Sequence, residues 1–102
     1  MAYRAHVQVY DPTTQRRVTP EAVLRVVHLQ PPVHKGTRQG RPGFWIEQRG
    51  VESFRYNVLT TLRLLTDVVG YAVTISATNG PSFEAVRGLA GSLPKNVTVN
   101  RG

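Results

Sequence analysis

The sequence predicts an α+β fold, an open-faced sandwich whose antiparallel sheet of about four strands carries three helices on one face. Three observations lead there. Residues 4–10, RAHVQVY, and residues 71–77, YAVTISA, have the alternation and the β-branched content of strands. Between and after them lie stretches whose apolar residues recur at helical spacing. Around residue 50, two short apolar runs flank an Arg-Gly pair, the pattern of a hairpin. Together they give the order β-α-β-β-α-β-α within a single domain spanning residues 1–102, a length that supports one modest core.

Taken in order, the first strand places Ala5, Val7 and Val9 on one face. The loop DPTTQRRVTP, residues 11–20, ends on a helix start. Thr19 suits the N-cap, Pro20 the first helical position and Glu21 the first turn. PEAVLRVVHL then carries Val23, Val26 and Val27 on one helical face. Residues 30–43, QPPVHKGTRQGRPG, are broken by three prolines and three glycines and predict a long basic loop. FWIEQ, residues 44–48, and VESFR, residues 51–55, predict the hairpin, with Gly50 in its turn. Asn57 is then a cap for a helix striped by Val58, Leu62, Leu65 and Val69, with Leu59 beside them, ending by Gly70. After the strand at 71–77, TNGP turns the chain. SFEAVRGLAGSL sets Phe83, Val86, Leu89 and Leu93 on one face, although Gly88 and Gly91 weaken that helix. Beyond Pro94 a short tail, NVTVN, allows a final strand.

Composition narrows the functional classes. The chain has 13 Lys+Arg against 6 Asp+Glu, for a net charge of +7, and eleven of the thirteen bases are arginine. Residues 1–49 hold eight bases and three acids; residues 50–102 hold five and three. Such a balance favours an acidic partner, although a GC-rich genome also produces arginine. Without cysteine there is no thiol chemistry, disulfide or cysteine-ligated metal. No apolar run approaches the roughly 18 residues that span a bilayer, and the first ten residues lack the core of a signal peptide. A cytoplasmic protein without membrane contact is expected.

The order of elements resembles that of the histidine-containing phosphocarrier protein (HPr) family of the bacterial sugar phosphotransferase system. GYAVTISATNGPSFEAVRGLAGSL is similar, without a gap, to that family's strand, turn and final helix. Gly70, Val73, Ile75, Ser76, Ala77, Ala85 and Leu89 stand at matching places. QRGVESFRYNVLTTLRLL is similar to its hairpin and second helix, and VQVYDP to its first strand. The likeness covers most of residues 5–92. It implies an HPr-like sandwich and a protein-docking face on the first two helices, to which Leu59, Leu62 and Leu65 would contribute if they are not core. It does not bring the chemistry. The position of the family's phosphorylated histidine falls on Arg16 or Arg17, and that of its regulatory serine on Val58. A guanidinium stays protonated and cannot accept a phosphoryl group.

The expected site is therefore one that binds an anion. Arg16 and Arg17, with Thr19, lie just before a helix N-terminus, where free N–H groups and the dipole favour negative charge. Alternatively they are two solvated arginines. Lys35, Arg38 and Arg41 add a basic arm with no acid in residues 30–43. Phe44 and Trp45 alternate, so one of them, Trp45 in particular, is a candidate exposed aromatic for stacking on a nucleotide. The histidines, His6, His28 and His34, form no metal pattern, and His28 suits the end of the first helix. Six scattered acids form no catalytic pair, phosphate-loop motifs are missing, and NVT at 96–98 matches a glycosylation acceptor by chance. No catalytic residue, metal or cofactor is expected. The sequence favours a non-catalytic module for an acidic protein partner, with nucleic acid the second choice. An assembly protein pairing its edge strands, NVTVN for instance, is the alternative, and a phosphocarrier comes last.

Overall fold

The computed structural model describes residues 2–101. The strand β1 (Tyr3–Tyr10) is followed by the two-residue strand β2 (Arg17–Val18) and the helix α1 (Pro20–Val26). Next come β3 (Val33–Arg38), β4 (Arg41–Gln48), α2 (Val51–Arg63), which runs into a π-helical turn at Leu64–Val68, and β5 (Ala72–Ala77). The chain closes with α3 (Gly80–Arg87), a 3-10 turn at Ala90–Ser92 and β6 (Val97–Arg101). The fold is α+β, as the alternation predicted, but its sheet is mixed and six-stranded. β3-β4-β1-β5-β6 is the order, with β2 also paired to β1. β6 runs parallel to β5 and every other pairing is antiparallel. β1 thus sits at the centre between β4 and β5, and β1-α1-β3 and β4-α2-β5 form two interleaved split β-α-β units.

All three helices cover one face. Ala5, Val7, Val9, Phe44, Ile46, Val73 and Ile75 point from the sheet into a core closed by Val23 of α1, by Phe54, Val58 and Leu62 of α2, by Leu65 of the turn, and by Ala85 and Val86 of α3. Thr19 caps α1, its Oγ1 accepting from the Ala22 N–H at 3.2 Å, and Asn79 caps α3 in the same way toward Ser82.

Four expectations need correcting. Residues 30–43 are not a loop. β3 and the start of β4 form a hairpin closed by Gln39 and Gly40, both with positive φ (52° and 75°), the two-residue turn that matches strand twist. Residues 51–55 are not a strand but the opening turns of α2. Gly50 is its extended N-cap, and Val51, Phe54, Val58 and Leu62 keep the helical spacing from the start. Asn57 therefore caps nothing; its Nδ2 donates to the Ser53 carbonyl one turn back. α1 stops at Val26, which is 61% exposed rather than core, so His28 lies beyond the helix end. The tail strand does form, as β6 at the edge of the sheet.

A basic end of the sheet as candidate functional site

Strand register decides which side chains share the helix-free face. Core residues on β1 are odd-numbered, so Arg4, His6, Gln8 and Tyr10 point the other way. Register then adds Gly43, Trp45 and Glu47 of β4, His34, Gly36 and Arg38 of β3, and Thr74 and Ser76 of β5 to that face.

Its centre is closed by side chains alone. Trp45 is 8% exposed, with its Nε1 donating to the Thr37 carbonyl at 3.1 Å and the Arg4 guanidinium 3.8 Å above its ring centre. Arg4 is held there by Glu47, at 2.9 Å. His6 packs edge-on against the indole at 4.7 Å and is 1% exposed. Its Nε2 lies 2.9 Å from the Gly36 carbonyl, so that nitrogen carries the proton; Nδ1 is buried with no partner. Burial pushes the imidazole below its ordinary pKa, against the opposing pull of the Gly36 carbonyl, and nearby Arg38 and Arg4 lower it further. His6 is therefore a neutral packing residue. Neither Phe44 nor Trp45 is free to stack on a base, which corrects the expectation for Trp45.

The cross-strand pair Gly36–Gly43 makes this closure possible. A Cβ on Gly36 would fall 2.5 Å from Trp45 Cδ1, and one on Gly43 would run into the Val7 carbonyl oxygen and fall 2.6 Å from His6 Cε1. These glycines looked like loop punctuation; they are the space the two rings occupy.

Beyond that pair the hairpin leaves the sheet. β1 and β4 pair only as far as Val7–Phe44, and β2 takes the next stretch of β1's edge at Val9 and Tyr10. The rows Thr37–Pro42 and Arg38–Arg41, closed by Gln39 and Gly40, therefore pair only with each other, as a short two-stranded arm beyond the buried Gly43. At about 3.4 Å per row its arginine pair stands roughly 7 Å beyond the Gly36–Gly43 row. Arg38 and Arg41 are direct cross-strand partners at its tip. Among the described residues neither forms an ion pair. Two like charges set opposite one another are destabilising unless an anion joins them.

The same end of the sheet holds the loop between β1 and β2. Asp11 folds it, accepting from the Thr13 and Thr14 N–H groups at 2.8 and 3.2 Å and donating its own N–H to the Arg16 carbonyl at 2.9 Å. The carboxylate is thereby engaged within the loop, while Arg16 and Arg17 stay exposed. Lys95, before β6, lies on the far side of this end. It lines an open polar cleft of about 390 Å³ with Tyr10, Asp11, Gln15, Thr74 and Thr98. Topology thus brings Arg16, Arg17, Arg38, Arg41 and Lys95 to one end of the sheet.

Two residues expected at the site lie elsewhere. Lys35 turns to the helical side and pairs with Glu21 at 3.5 Å. Thr19 is occupied as the cap of a seven-residue helix whose first turn already carries Glu21. Arg17 itself belongs to β2, opposite Tyr10 of β1 and two residues before that cap. Leu62 and Leu65 are wholly buried, so they add nothing to a docking face. Val58, aligned with the opening of a helix, sits in the middle of α2 and is buried. Among the described residues, no group of three or more His, Asp or Glu could hold a metal ion, and no helix is long and apolar enough to cross a membrane. No protein-family model, curated protein or solved structure matches the chain.

Proposed function

We propose that this protein is a non-catalytic binding module that docks an anionic macromolecular partner at the basic end of its sheet. The observation that carries the reading is the Arg38–Arg41 pair, opposed across the arm and unneutralised by any described carboxylate. Arg16 and Arg17 on the adjoining loop and Lys95 across the sheet would widen the contact. Heparin, a generic polyanion, tests it. The wild type should be retained at low salt, and Arg38→Glu with Arg41→Glu should abolish retention while leaving the circular dichroism unchanged. Equal retention of the double variant would sink the reading.

An HPr-like scaffold belongs to the same proposal. It is supported by the β-α-β-β-α-β-α order along the chain, to which β2 and β6 are additions. The matched residues Val73, Ile75, Ala77 and Ala85 are all buried here, positions that any such sandwich fills with small or β-branched residues. Phosphoryl transfer is not part of the proposal, because residues 11–20 contain no histidine. A second reading, assembly through edge strands, is favoured by one observation. β6 and β3 are both sheet edges, each with one unpaired side.

A further inference from the structure

We infer that the partner is double-stranded DNA and that the β3–β4 arm enters its major groove. The inference rests on the binding reading above and gives that site its ligand. Dimensions speak first. The B-DNA major groove is about 12 Å wide and 8.5 Å deep and admits a two-stranded ribbon. An arm whose arginine pair stands roughly 7 Å out, on two strands about 4.8 Å apart, fits it in both senses.

Composition speaks second. From Thr37 to Pro42 the arm carries Thr37, Gln39, Gly40 and Pro42 besides its two arginines, so it is slim and has no acid to meet a phosphate. Pro42 costs the ribbon nothing. The turn closes on the hydrogen-bonded pair Arg38–Arg41, so Thr37–Pro42 is a non-hydrogen-bonded pair and the proline nitrogen faces away from β3. At the tip, Arg38 and Arg41 have the fork geometry that reads guanine edges or grips phosphate.

Span speaks third. With the arm in the groove, the exposed Arg16 and Arg17 beside its root would lie against the flanking phosphates. From β3 to β6 the sheet is five strands wide, about 19 Å at 4.8 Å per step. That covers five to six base pairs at roughly 3.4 Å each, with Lys95 at the far margin.

A single strand fits less well. Binding of that kind uses exposed aromatic platforms, whereas Trp45 is covered by Arg4 and the Tyr10 hydroxyl is bonded to Gln8. Duplex RNA fits less well too, because the major groove of an A-form helix is too narrow for such an arm. An acidic protein face is disfavoured because the large hydrophobics that are exposed, Leu24, Val26, Tyr56 and Val68, all lie on helical elements, so none of them stands beside these arginines.

The test is fluorescence anisotropy with a mixed-sequence 20-base-pair DNA duplex, the matching RNA duplex and a poly-glutamate peptide, each from about 50 to 200 mM salt. Four arginine–phosphate contacts, from Arg16, Arg17, Arg38 and Arg41, give a log–log slope of about −3.6, a loss of about a hundredfold in affinity over that range. Arg38→Ala and Arg41→Ala should each lower the slope by about one. Arg63→Ala, on the opposite helical side, should leave it unchanged. DNA binding at least tenfold tighter than RNA binding, with these slopes, upholds the inference. Equal affinity for the two duplexes, or a slope indifferent to Arg38 and Arg41, overturns it. Binding of poly-glutamate without DNA overturns it too but leaves the basic end as a docking site. Binding of no polyanion removes both.

Discussion

His6 shows how a titratable group can be buried without becoming a site. Its imidazole lies between the Trp45 ring and the Gly36 carbonyl, with Arg4 and Arg38 near enough to oppose a second positive charge. Protonation would put a proton on Nδ1, where no acceptor waits. The unfolded chain takes that proton near pH 6.5, whereas the folded chain resists it until a lower pH. Between those two values the unfolded state binds more protons, so stability rises with pH there and is lost as pH falls below about 6.5. The slope from one group cannot exceed about 1.4 kcal/mol per pH unit. Urea unfolding at pH 7.5 and pH 5.5, followed by the fluorescence of Trp45, should show this loss in the wild type. His6→Gln retains a donor for the Gly36 carbonyl and should show a smaller one. Equal losses in both proteins would mean that His6 titrates alike in the folded and unfolded chain.

At the scale of elements, the hairpin of β3 and β4 depends on two residues with no side chain. Gly43→Ala drives a methyl into the backbone oxygen of Val7 and into the His6 ring, and neither can retreat without breaking the β1–β4 pairing. Overpacking of this kind costs about 1–3 kcal/mol or more. Gly91→Ala meets nothing within 4 Å and should be nearly neutral. Thermal unfolding of the two variants side by side measures the difference; equal midpoints would show that the sheet relaxes freely at Gly43. This element also marks the limit of what the sequence discloses. β1 and β5 were legible because their alternation reflects a buried central face. The cap Thr19 and the strand β6 were legible from local chemistry. β3, VHKGTR, was not, because an edge strand with lysine, glycine and arginine owes its conformation to the partner beside it. The first turns of α2 were hidden by Arg49-Gly50, which looks like a hairpin turn although Val51, Phe54 and Val58 already have helical spacing. Of the bases gathered at that end of the sheet, Arg16, Arg17, Arg38 and Arg41 could be named from sequence; Lys95 could not, since only the pairing of β6 with β5 brings it there. Lys35's turn toward Glu21 and the covering of Trp45 could not, since both depend on register.

At the scale of the whole molecule, a basic end that waits for an anion should carry a stability cost while it is empty. Arg41→Glu places a carboxylate opposite Arg38 at the tip of the arm and turns a repulsive cross-strand pair into an attractive one. Such pairs contribute about 0.2–1 kcal/mol. For a domain of this size that raises the melting temperature by a few degrees. The gain should shrink as salt screens both charges. The same substitution should remove the arm from any polyanion. Differential scanning fluorimetry at about 20 and 500 mM NaCl, run beside the DNA titration, therefore separates two explanations of the arginine pair. If the arginines are only solvated surface, the substitution changes stability slightly and binding not at all. If they are a docking element, the variant gains stability at low salt and loses its ligand together. A variant that loses the ligand without gaining stability would show that the free arm already relieves its own repulsion, by swinging the two guanidinium groups apart into water. The pair would then explain affinity but store no strain.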